Sequence, residues 1–271
     1  MAEQLWLDVS LWSADLANLA SEIARIDPFA DGYHLDVCDG HFAPVLLFFP
    51  DLVARLRTLT AKPFHVHLMA TRPMDLLPAF LDAGGGPNTV KLTVGGDVAL
   101  GQDLATTVLT GAGNDLLSLI SRSIFCDGSV RLAADLGAGF DLFNGLVVAD
   151  VNPTGLVDVA VGLGASTDDC NLQYRGQING DVKLLVDGAD GNDTIQAYII
   201  PTVGSVGTLQ AELYGGLNND DLSFLMWGLQ GQLPALTTNL LVDGGPNFDV
   251  AWVVPNVPVL NIEELHIAPE P

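Results

Sequence analysis

The chain runs to 271 residues and carries ten basic against thirty-three acidic side chains, a formal charge of −23. Phosphate backbones attract the opposite sign, so this balance disfavours nucleic acid as a partner and leaves metal cations as the natural counter-ligands. No uncharged apolar run reaches the length of a membrane span, and three cysteines (Cys38, Cys126 and Cys170) without metal-type spacing do not make a disulfide framework.

The first part of the chain alternates strand-like and helix-like segments. Residues 5–9 are a short apolar run. Ser13 is a suitable N-cap for a helix that puts Leu16, Leu19, Ile23 and Ile26 on one side. Residues 32–37 read as a second strand. Residues 49–59 read as a helix, with Pro50 in its first turn and Leu52, Leu56 and Leu59 inward; Phe48 and Phe49 are expected in the core. Residues 64–69 read as a third strand and residues 73–81 as a third helix. Strands and helices alternating over short links predict parallel βα units.

Chemistry concentrates in Tyr33-His34-Leu35-Asp36-Val37-Cys38-Asp39-Gly40-His41. Alternation puts His34, Asp36 and Cys38 on one strand face and Tyr33, Leu35 and Val37 on the other. Three segments in order, Val9-Ser10-Leu11-Trp12-Ser13-Ala14-Asp15-Leu16, His34-Leu35-Asp36-Val37-Cys38-Asp39-Gly40-His41-Phe42-Ala43-Pro44 and His65-Val66-His67-Leu68-Met69, resemble the ribulose-phosphate 3-epimerase family over residues 5 to about 83. The resemblance implies the first three βα units of a TIM barrel, a sugar-phosphate substrate and a divalent metal (zinc, iron or manganese) held by two histidines and two aspartates. Carried over by position, His34, Asp36 and His67 match metal ligands, and Asp36 is also an acid–base group. Ser10 matches a substrate-contacting serine and Met69 a methionine beside the reacting carbon. Cys38 stands where the family usually has methionine; His41 and His65 have no assignment.

The chemistry behind that set is plain. Removing a proton beside a carbonyl builds an enediolate whose charge a divalent cation stabilises. Two opposed carboxylates let the proton leave one face and return to the other. The resemblance places the second carboxylate on a late strand in a Val-Asp-Gly-Gly setting. Val242-Asp243-Gly244-Gly245 has those letters, which makes Asp243 the candidate, although it lies inside a repeat and Val186-Asp187-Gly188 has the same shape two repeats earlier.

Composition shifts at residues 84–87. Residues 1–85 hold 5 basic and 11 acidic side chains; residues 86–271 hold 5 and 22, of which 18 are aspartate. There Gly111-Ala112-Gly113-Asn114-Asp115 recurs as Gly137-Ala138-Gly139-Phe140-Asp141 and in four later variants, ending at Asp168, Asp193, Asp220 and Asp249. The closing aspartates are spaced by 26, 27, 25, 27 and 29 residues. A fixed period of this size means stacked units, since one unit cannot bury its own apolar face. The turns resemble the calcium loops of RTX-type proteins, but come once per long coil rather than in tandem. Calcium at Asp115, Asp141, Asp168, Asp193, Asp220 and Asp249 therefore competes with a plain turn-forming role.

The expected architecture is an α/β partial TIM barrel of three βα units (residues 1–83) followed by an all-β repeat domain (residues 84–271), a parallel β-solenoid or else an array of hairpins. The third barrel strand would be an open edge, to be covered by residues 89–93, by the first coil, or by a second copy in a homo-oligomer. Trp227 and Trp252 are expected in core or stacking positions. Two functions compete: a metal-dependent sugar-phosphate isomerase of the epimerase type, incomplete if Asp243 does not reach the site, and a non-catalytic calcium-binding or structural solenoid with a barrel-derived cap. The acidic start, Met1-Ala2-Glu3-Gln4, gives a cytoplasmic expectation, against which RTX-like repeats usually accompany export.

Overall fold

A computed structural model describes residues 6–70, 76, 80, 89–122, 124–227 and 236–268. In the N-terminal part β1 (Asp8–Ser10), β2 (Gly32–Asp39) and β4 (Phe64–Met69) form a parallel sheet with β2 in the middle; β3 (Leu46–Leu47) adds a short antiparallel pair at the end of β2. α1 (Leu19–Ile26) connects β1 to β2, and α2 (Pro50–Arg57) leads into β4. This is the arrangement with which a βα barrel begins. One sheet face is dry: Tyr33, Leu35 and Val37 pack against Leu19 and Ile23 of α1 and Val53 and Leu56 of α2. The alternation read from the sequence therefore holds, and the other face carries His34 and Asp36.

Several local expectations are corrected. α1 begins at Leu19 with Asn18 as cap and no side-chain cap bond, not at Ser13. Asp15 instead closes the preceding turn, its carboxylate accepting the Ala17 N–H and the Asn18 amide. Phe48 is buried as expected, but Phe49 is 57% exposed and Leu59 is 45% exposed. Most of the third helix, residues 73–81, lies outside the described residues; Leu76 and Phe80 are helical and pack on the N-terminal core.

From β5 (Thr89–Gly95) onward the chain winds into a parallel β-solenoid of about eight turns. Each coil gives one strand to each of two sheets. The first sheet holds β5, β7 (Leu116–Arg122), β10 (Leu142–Val151), β12 (Asp169–Gly176), β14 (Thr194–Pro201), β16 (Asp221–Met226), β18 (Val250–Val253) and β20 (Glu264–Ile267), with β8 (Ile124–Cys126) also on β10. The second holds β6 (Asp103–Leu109), β9 (Ser129–Asp135), β11 (Leu156–Ala165), β13 (Asp181–Asp190), β15 (Thr208–Tyr214), β17 (Thr237–Asp243) and β19 (Val259–Leu260). Hairpins are absent from this array among the described residues, where every strand pairing is parallel and joins one coil to the next.

Register explains the core. Strand alternation sends every second side chain inward, and stacking without slip turns these into continuous rows. One row runs Val90, Leu117, Phe143, Cys170, Ile195, Leu222 and Ala251. The facing sheet supplies Val157, Val182 and Leu209 in one row and Val161, Val186 and Leu213 in another. At one corner a glycine column, Gly128, Gly155, Gly180 and Gly207, lets adjacent backbones touch: a β-carbon at Gly155 would stand 2.0 Å from the Cys126 carbonyl oxygen. The aspartates form the other corner.

The candidates to cover the open edge of the third barrel strand are residues 89–93, the first coil or a second copy. Residues 89–93, in β5, lie beside β4 but hydrogen-bond to β7 inside the solenoid, and among the described residues β4 is hydrogen-bonded only to β2. Its side chains are half-buried along most of its length.

Candidate functional site

On the open face of the N-terminal sheet, parallel register sets Ser10 beside His34, and Asp36 beside His67. The Asp36 carboxylate sits between the two imidazoles. His34 Nδ1 lies 3.2 Å from Oδ2 and His67 Nδ1 lies 3.1 Å from Oδ1, while the Ser10 hydroxyl donates to Oδ2 at 3.4 Å. The two rings are 5.8 Å apart. One ligand atom from each of His34, Asp36 and His67 falls within 4.8 Å of the others. Asp36 is 13% exposed at its side chain and His67 57%, so the group is supported from below and open above. Two imidazole nitrogens and a carboxylate oxygen, neutral or anionic and convergent, fit a divalent transition metal by both donor type and spacing.

Met69 lies next to Cys38 in register, at the same end of the sheet. Cys38 is buried, and burial pushes its thiol upward, with Asp36 and Asp39 adding to the shift. A groove of about 540 Å³ opens beside it, lined by Leu16, Leu46, Phe49, Leu52 and Leu76 among others. Among the described residues its lining includes Asp39 and no lysine or arginine. His41 has its ring Nδ1 3.0 Å from the Asp39 carbonyl oxygen.

His65 gains a partner that sequence reading missed. Its Nδ1 meets the Asp8 Oδ2, and the pair spans β2 at Gly32, the Cα partner of Asp8. A β-carbon on Gly32 would stand 2.6 Å from the Asp8 Oδ1. The available signal was the alternation along β4, which puts His65 and His67 on one face.

Asp243 is not brought to this site. It closes β17 in the solenoid, where its Oδ1 accepts the Gly245 N–H at 3.2 Å and the Asn261 amide at 2.7 Å. Asp187 holds the same place on β13, with Tyr214 between them in register, so the two Val-Asp-Gly stretches are one repeat position.

The six repeat aspartates line up as a ladder. The backbone N–H of Asp115 donates to Asp141 Oδ1 at 2.7 Å, that of Asp141 to Asp168, that of Asp168 to Asp193, that of Asp193 to Asp220 and that of Asp220 to Asp249, all within 2.6–2.9 Å. Glu263 ends the column by accepting the Asp249 N–H. These aspartates are at most 3% exposed. Calcium gains no support from this geometry, because the carboxylates point into the corner and bond backbone amides, whereas a calcium ion collects six to eight oxygens. Burial drives the acids upward: Asp168 and Asp220 to about 6 and Asp193 to about 7, each partly offset by the amide it accepts.

Comparison with known proteins bears on the first part of the chain. The model of the ribulose-phosphate 3-epimerase family matches residues 6–94. The ribulose-phosphate 3-epimerase of Treponema pallidum (strain Nichols) is 42% identical over 85 residues, 31% of this chain and 39% of the relative. That of Bacillus subtilis (strain 168) is 43% identical over 76 residues, 28% of this chain and 35% of the relative. The cytoplasmic isoform of Oryza sativa subsp. japonica is 37% identical over 89 residues. The chain thus spans about two fifths of the length of these curated relatives or less, and the match ends inside β5, where the solenoid begins.

Proposed function

We propose that the N-terminal region is a divalent-metal and sugar-phosphate site of the epimerase type that carries only one of the two proton-transfer carboxylates. The observation that carries this reading is the convergence of His34, Asp36 and His67; the similarity over residues 6–94 supports it. His34, Asp36 and His67 would hold the metal, which would stabilise enediolate charge. Asp36 is the group that takes the proton, steered by the Ser10 hydroxyl on its Oδ2. Asp243, the candidate for the second carboxylate, is held in the solenoid by Gly245 and Asn261. The reaction supported is therefore removal and return of a proton at one face.

The test uses the full chain with metal content determined by mass spectrometry. Ribulose 5-phosphate is incubated with it in D2O and followed by NMR. The expected result is metal-dependent deuterium uptake at C3, lost in Asp36→Asn, with little of the C3 epimer formed. Absence of both retained metal and exchange overturns the reading.

A second reading is favoured by the pairing of β5 with β7. In it, residues 1–83 are a barrel-derived cap on a structural solenoid at residues 84–271. The β4 edge, paired only with β2 among the described residues, is then covered by a second copy. Light scattering that returns a monomer at all concentrations removes the homo-oligomer.

A further inference from the structure

We infer that the corner column of Asp141, Asp168, Asp193, Asp220 and Asp249 is a row of proton-binding sites, filled in the folded chain in mild acid, that makes the solenoid firmer in acid and looser towards neutral pH.

The geometry is the same in coil after coil. Each Oδ1 accepts one backbone N–H from the preceding coil. Each Oδ2 is buried and meets no donor. Where Gly188 would carry a β-carbon, Asp193 Oδ2 stands 2.6 Å away and the Gly215 carbonyl oxygen 2.3 Å away. Gly215 has the same relation to Asp220 Oδ2 and the Gly244 carbonyl, and Gly244 to Asp249 Oδ2 and the Asn261 carbonyl. Two acceptor oxygens thus converge on the space beside each of these three glycines that a β-carbon would fill. A proton on Oδ2 gives that carboxyl a donor to offer. Successive coils repeat at the strand spacing of about 4.8 Å, so ionised carboxylates would stack as like charges in a dry corner. The charged groups acting on the column are further acids: Asp115 on Asp141, Asp169 beside Asp168, Asp190 beside Asp193, and Asp243 and Glu263 beside Asp249. None is a cation that would favour ionisation.

The direction of the pH effect follows from linkage. Unfolded aspartates lose their protons around the ordinary value of 3.8, whereas Asp168 and Asp220 lose theirs at about 6 and Asp193 at about 7. Between those limits the folded chain binds more protons than the unfolded one. The contribution is complete below pH 4, falls as pH rises to about 7 and stays lost above that.

The test is urea unfolding of the full chain from pH 4 to pH 8, with Cys170 accessibility reporting the solenoid. Asp36→Asn controls for the N-terminal site. The folding equilibrium constant should fall by roughly tenfold or more between pH 5 and pH 8. Asp168→Asn/Asp193→Asn keeps the accepting oxygen and removes the titration, and should flatten most of that fall. A wild type that is level across the range overturns the proposal, as does a double variant with undiminished pH dependence. Infrared spectroscopy needs no variant: a protonated-carboxyl stretch persisting at pH 6 in the folded chain is expected, and its absence overturns the proposal.

Discussion

Gly215 and Asp220 share one corner of a coil so tightly that a β-carbon on Gly215 would stand 2.4 Å from the Asp220 Oδ2 and 2.6 Å from the Gly244 carbonyl oxygen. Neither neighbour is the free end of a flexible chain. Gly215→Ala should destabilise the solenoid by about 1–3 kcal/mol, the usual cost of overpacking. Gly162, within β11, is the matched control, since the nearest atom to its added β-carbon is 3.8 Å away. Gly162→Ala should be neutral within about 0.5 kcal/mol. Paired urea denaturation curves check both.

The three thiols divide the molecule into two reporters. Cys126 and Cys170 lie in the solenoid core, Cys38 in the N-terminal sheet, and all three are buried. Burial raises each thiol, so the reactive thiolate is scarce as well as shielded. Native protein at pH 8 should react slowly with a disulfide reagent at all three, and fully in denaturant. If the two parts open separately, Cys38 should appear at a different urea concentration from Cys126 and Cys170. Peptide mapping of the labelled sites reads this directly.

Metal binding should track the three convergent ligands and nothing else nearby. His67→Ala removes the imidazole on one side of Asp36 and should weaken zinc binding by about tenfold to a hundredfold or more. His41→Ala, whose ring sits on the Asp39 carbonyl, should leave affinity unchanged. Competition against a chromophoric chelator measures both. Equal loss in the two variants would place the metal elsewhere.

The sequence was legible where one period ruled. Alternation in residues 33–38 separates the dry face from the histidine face, and the 25–29-residue spacing of the aspartates marks the coils, because both follow from strand geometry. It was less legible where a residue has competing local uses. Asp15 and Ser13 both suit a helix start, and the turn closed by Asp15 displaces the helix to Leu19. The repeat aspartates have turn and calcium-loop spelling alike. Only stacking shows their carboxylates inside, each taking the amide of its counterpart. Asp243 carried the letters of a catalytic strand end, yet the same letters around Asp187 close the equivalent strand two coils earlier. The family match helps in the barrel part and stops at β5.

The Asp8–His65 pair offers the sharpest test of the N-terminal sheet, because Gly32 is what lets it form. A β-carbon at Gly32 would sit 2.6 Å from Asp8 Oδ1, an oxygen that is already buried without a hydrogen bond. Gly32→Ala should therefore destabilise this region by about 1–3 kcal/mol through forced displacement of Asp8. Asp8→Ala should cost less, about 1 kcal/mol, since it removes an unsatisfied buried acceptor along with the His65 partner. The two sites are in direct contact, so their effects should not add: with Asp8 already alanine, the Gly32→Ala change should cost less than in the wild type. Exposure of the Cys38 thiol in urea reports the region for all four members of the cycle. Strict additivity would mean that Gly32 is constrained by the backbone around Pro63, whose carbonyl oxygen lies 3.4 Å from the same point, and not by Asp8.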